Sequence, residues 1–93
     1  MRSFHVAHLR IRGNDLIILP LSESFARMPP QEREAALREV RAAAKSAGLK
    51  GTVVPVWPFG EQIQFLAPKP WHPFFRGVSW SWLQANLNRQ IVV

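Results

Sequence analysis

Histidine is the residue type in this chain best suited to proton transfer near neutral pH, and His5, His8 and His72 are its three instances. With Lys69 or Arg76 beside His72 to stabilise a developing anion, the set outlines a metal-independent, ribonuclease-type toxin. The spacing works against that chemistry. His5 and His8 are an odd number of residues apart on a predicted strand, so they point to opposite faces and cannot serve one site or one metal ion. His72, between Trp71 and Pro73, is placed to bond a backbone carbonyl of its own proline-rich linker. Asp15, Glu23, Glu32, Glu34 and Glu39 are scattered over a turn, a loop and a helix, with no histidine at ligand spacing. Ser22, Ser24, Ser79 and Ser81 lack the glycine-flanked turn of a nucleophilic serine, and the chain has no cysteine. No catalytic residue, metal site or cofactor is assigned, and the reading leans away from an enzyme.

Contact chemistry is better represented. Five aromatic residues crowd the stretch from Trp71 to Trp82, among them Phe74, Phe75 and Trp80, with Arg76 inside it. Tryptophan and arginine are over-represented at the energetic centres of protein interfaces, and aromatic rings also stack unpaired bases. Most of these rings are needed to close a small core. Trp82 differs, because helical phase sends it away from Trp80, Leu83, Leu87 and Ile91 and onto a face with Asn86 and Arg89. Trp71, Phe74, Phe75, Arg76, Trp82 and Arg89 are therefore the predicted protein-contact residues. The apolar end Ile91-Val92-Val93 suggests a seam for a second copy of the chain.

The formal charge is +6, from twelve basic and six acidic residues, which favours an anionic partner without choosing one. Arg38, Arg41 and Lys45 share an exposed stripe of the long helix, Lys50 follows, and Arg10 and Arg12 are available from the first strand. Such a stripe contacts phosphates without reading bases, so Arg38, Arg41, Lys45 and Lys50 are the alternative, nucleic-acid-binding set. The plainer reading is a solvated helix face helped by a Glu34 to Arg38 pair worth about 0.2–0.5 kcal/mol. Gly48-Leu49-Lys50-Gly51 has the spacing of the backbone-clamping loop of KH domains, but it leads from a helix into a strand where that loop joins two helices. A helix cap followed by a turn accounts for its glycines.

The elements that must position these groups follow from periodicity. Residues 4–11 alternate, break at Gly13-Asn14-Asp15 and resume as Leu16-Ile17-Ile18-Leu19, apolar on both faces as in a central strand. Pro29-Pro30-Gln31-Glu32 opens a helix predicted over Pro30 to Ala47, with Leu37, Val40, Ala44 and Ala47 as its core stripe and Gly48 as its stop. Thr52 to Trp57 and Gln62 to Ala67 read as a second hairpin, with Pro55 demoting its first arm toward an edge or bulge. After a rigid linker over residues 68–73, Ser79 or Ser81 caps a last helix running to about Arg89. The expected fold is one α+β domain over residues 1–93, in the order ββαββα, with both helices on one side of an antiparallel sheet.

Composition sets the outer bounds. At 93 residues with 47% hydrophobic and 19% charged residues, the chain is a small packed domain, not a disordered one. Its longest apolar run, Leu16 to Leu21, is too short for a membrane span, no cleavable leader is recognisable, and a cytoplasmic location is expected. The expected function is that of a small basic binding or accessory protein of bacterial type, holding a protein partner or a second copy through the C-terminal aromatic surface.

Overall fold

The computed structural model describes residues 3–60 and 62–92. Five strands form one sheet: β1 (Ser3–Ile11), β2 (Asn14–Pro20), β3 (Thr52–Phe59), β4 (Gln62–Phe65) and β5 (Arg89–Val92), in the spatial order β4-β3-β2-β1-β5. Four helices accompany them: α1 (Ser24–Arg27), α2 (Pro30–Ser46), α3 (His72–Arg76), entered through a 3₁₀ turn at Lys69–Trp71, and α4 (Trp80–Ala85). The fold is mixed α and β, as expected. Its layering is not the expected one.

The β1–β2 hairpin closes through Arg12 and Gly13, with φ of 54° and 80°. Two consecutive positive φ values match the right-handed twist of the flanking strands. Asn14, expected in the break, instead opens β2 opposite Ile11 and donates from Nδ2 to the Arg12 carbonyl. Helix α2 begins and ends within a residue of expectation. Pro30 sits at its first turn, and the backbone N–H groups of Gly48 and Leu49 close its end on the carbonyls of Lys45 and Ala44.

The expected antiparallel sheet of two hairpins is corrected at its centre. β3 pairs with β2 in parallel, Ile17 opposite Val53 and Ile18 opposite Val54, with α1 and α2 as the crossover between them. Strand alternation then divides the core. Val6, Ile17, Leu19, Val53, Trp57 and Ile91 pack beneath α2 against Leu37, Val40 and Ala44. Ala7, Leu16, Ile18, Val54, Val56 and Ile63 pack on the other face against Phe75, Val78 and Leu83 of the α3–α4 layer. The helices therefore cover both faces, making three layers where two were expected. The physical reason is Leu16-Ile17-Ile18-Leu19, which is apolar on both faces and needs cover on both.

The second correction concerns the last helix, expected to run to about Arg89. It stops at Ala85, where Asn86 caps it and donates from Nδ2 to the Trp82 carbonyl at 2.7 Å. The chain then turns back as β5, with Phe4 opposite Ile91 and Val6 opposite Arg89. Ile91, expected on one helical stripe with Leu83, lies instead in the cluster on the opposite side of the sheet. Asn88 makes the join: its Oδ1 accepts from the His8 backbone N–H at 2.8 Å and its Nδ2 donates to the His8 carbonyl at 3.0 Å. Pro55, expected to push its strand toward an edge, lies where β3 loses its outer neighbour, because β4 ends opposite Val56 and Leu66 makes the last bond to the Pro55 carbonyl.

Candidate protein-contact surface

The α3–α4 layer is held in place by three local devices. The His72 imidazole donates from Nε2 to the Ala67 carbonyl at 2.9 Å, a structural bond to backbone as expected, but to the residue just before the linker and not within it. Pro73 falls in the first turn of α3, where its missing N–H costs nothing. Ser79 caps α4, its Oγ accepting from the Trp82 backbone N–H at 3.1 Å.

These devices sort the aromatic residues by depth. Phe75 is 1% exposed and belongs to the core, stacked obliquely against Phe65 at 5.3 Å between ring centroids. Its assignment as a contact residue is corrected: α3 buries Phe75 in the core, whereas Phe74, one residue earlier, is only partly buried at the edge of the same cluster. Phe74 is half-buried and meets three rings edge-on, Trp71 at 6.1 Å, Phe75 at 5.1 Å and Trp82 at 6.2 Å. Edge-to-face pairs at these separations are favourable beyond their buried area. Trp82, at the outer end of the array, keeps 38% of its surface exposed and borders a shallow depression with Gly77, Val78 and Ser79. The outward phase expected for Trp82 is the one the structure has.

Arg89 does not share this surface. It sits on β5 directly opposite Val6, and directly opposite residues share a sheet face, here the α2 side. The helical register that grouped it with Trp82 ends at Ala85. Arg76 is exposed in the last turn of α3, and Lys69 is exposed in the turn before it.

Among the described residues, charge on this side is of one sign. Residues 62–92 contain no Asp or Glu. The described carboxylates belong elsewhere: Glu23, Glu32, Glu34 and Glu39 to the α1–α2 layer, and Asp15 to the side of β2 shared with Ile17 and Leu19. The aromatic surface therefore carries Lys69 and Arg76 with no described carboxylate in its layer. This bias was open to inspection in the sequence, but it gained meaning only once the helices were assigned to opposite faces.

The alternative basic set is dispersed along α2. Arg38, Arg41 and Lys45 are exposed, and Lys50 is exposed in the connection to β3. Glu34 pairs with Arg41 at 3.1 Å, two turns away, and not with Arg38 as expected. The histidines do not converge. His5 is exposed opposite Gln90, while His8 donates from Nε2 to the Lys50 carbonyl at 2.9 Å. Among the described residues no group of three acidic or histidine side chains is arranged to hold a metal ion. No helix among them is long and apolar enough to cross a membrane. Comparison with known proteins finds no matching family model, no matching curated protein and no matching solved structure.

Proposed function

We propose that this chain is a small non-enzymatic binding protein that holds a protein partner through the outer surface of α3 and α4, with Trp82 and Phe74 at its centre and Trp71 and Arg76 beside them. One observation carries the reading. Trp82 stays 38% exposed at the end of an edge-to-face array, its ring set edge-on against Phe74. A half-exposed tryptophan gains buried area on binding at little cost in side-chain ordering, and such residues dominate interface energetics. The one-sign charge around the array favours a partner whose matching surface is acidic. The cysteine-free composition supports a cytoplasmic setting for that encounter.

The test is retention of cytoplasmic proteins on immobilised wild-type chain, Trp82→Ala and, as a control on the far face, Arg38→Ala, with sedimentation velocity of each to register self-association. A partner or dimer seen with wild type and Arg38→Ala should be weakened about thirtyfold or more by Trp82→Ala, the equivalent of about 2 kcal/mol at a central contact. Equal retention by all three proteins would refute the assignment.

A further inference from the structure

We infer that the end of the sheet opposite the N-terminus of α2 is a docking site for the phosphate backbone of a double-stranded nucleic acid, carried by Arg10, Arg12, Lys45 and Lys50. This inference is independent of the aromatic surface and uses another part of the molecule.

The topology does the gathering. β1 ends and β2 begins at the Arg12–Gly13 turn, and because β2 and β3 run parallel, with Leu16 opposite Thr52, β3 begins at the same end. α2 delivers its C-terminus there too, with five residues between it and β3. Cations from three separate segments, residues 10–12, 45 and 50, thus share one end. Arg10, Arg12, Lys45 and Lys50 make no ion pair among the described residues, and Lys45 and Lys50 stand on the rim of a depression floored by Ile17, Leu49 and Val53. Arg41 lines the same rim, with its guanidinium engaged by Glu34.

One carboxylate offsets part of this charge, and the described acids of α2 stand back from it along the helix. Asp15, opposite Arg10, is the carboxylate at this end. Glu39 lies six residues before Lys45 on α2. Glu32 lies thirteen residues before it, about 20 Å along the axis at 1.5 Å per residue, well beyond the screening length of about 8 Å at physiological ionic strength.

The lysines also stand on fixed backbone. The Gly48 and Leu49 N–H groups bond the Lys45 and Ala44 carbonyls at 3.0 and 2.9 Å, and the His8 imidazole holds the Lys50 carbonyl. Gly51, at φ +132°, lies so close to β2 that an added Cβ would come within 2.5 Å of the Asp15 carbonyl oxygen. Lys50 is thereby tied to β1 and β2. No aromatic side chain lines the depression, so there is no platform for unstacked bases. Cations without stacking or base-reading groups fit the backbone of a duplex, bound without sequence preference.

Fluorescence anisotropy of a short labelled DNA duplex, the equivalent RNA duplex and a single strand tests this. Four phosphate contacts predict that duplex affinity falls about 100-fold between 50 and 200 mM salt. The Lys45→Glu/Lys50→Glu double variant, its fold checked by circular dichroism, should lose at least tenfold in affinity. Should that variant fail to fold, Lys50→Gln, which leaves the His8 bond to the backbone intact, should show a smaller loss and a shallower salt slope. Trp82→Ala should bind duplex as wild type does. No binding at 50 mM salt, tighter binding to the single strand, duplex binding lost in Trp82→Ala, or equal affinity for polyglutamate through the same two lysines would each overturn the inference.

Discussion

Replacing Gly51 by alanine tests whether the basic end is as tightly built as its geometry implies. A φ of +132° lies outside the left-handed region that other residues visit, and backbone strain of this kind costs about 1–3 kcal/mol. The added Cβ would also meet the Asp15 carbonyl oxygen at 2.5 Å and carbon at 2.7 Å, nearly an ångström short of ordinary contact. The obstacle is backbone, not the end of a flexible side chain. Asp15 is paired with Arg10 across β1, and the next residue, Leu16, with Thr52 across β3, so relief requires displacing two ladders. Overpacking of that sort costs about another 1–3 kcal/mol. A loss of roughly 2–6 kcal/mol is a large share of the 5–15 kcal/mol that holds a typical domain together. With a urea dependence of about 1–3 kcal/mol per molar, the denaturation midpoint should drop by about 1 M or more. Gly48→Ala is the control: its φ is also positive, but a Cβ there meets no atom within 4 Å, so only a backbone term of about 1–2 kcal/mol applies. Equal costs for the two variants would refute the close packing of Gly51 on β2.

Two neighbouring aromatics should separate core from surface: Phe75→Ala is expected to lower stability by about 3–5 kcal/mol and Trp82→Ala by less than about 1 kcal/mol in urea denaturation, and comparable losses would contradict the depths assigned to the two rings. Asn88→Ala removes both side-chain bonds to the His8 backbone and should cost about 1–3 kcal/mol, with faster amide exchange at His8; unchanged exchange there would show that β5 is held without it.

The elements legible in the sequence are those built from local signals. α2 announced itself by paired prolines, an acidic first turn and a stripe of three- and four-residue spacings, and His72 by its confinement between Trp71 and Pro73. Leu16 to Leu19 was recognisable as a central strand, but the expected layering, with both helices on one side, left one of its two apolar faces without cover. What the sequence concealed was partnership. β3 follows a long crossover and pairs in parallel with β2, a partnership between segments more than thirty residues apart that no local signal in either strand announces. β5 was hidden because Leu83, Leu87 and Ile91 recur at helical spacing, while the residue that ends the helix, Asn86, and the one that starts the strand, Asn88, act through side-chain bonds. The contact residues divided for the same reason. Trp82 kept its predicted exposure because α4 is a true helix, whereas Arg89 lost its place beside it once that helix ended.

The bond between Asn88 and His8 spans 80 residues of chain. β1 pairs with β2 across a two-residue turn, a contact available almost at once, but its other edge is completed only by β5. Until then β1 offers an unpaired row of backbone donors and acceptors, the kind of template on which nascent chains associate. Assembly of the sheet is thus a race between a distant intramolecular strand and any other strand that reaches the edge first, and the affinity of Asn88 for the His8 backbone favours the native competitor.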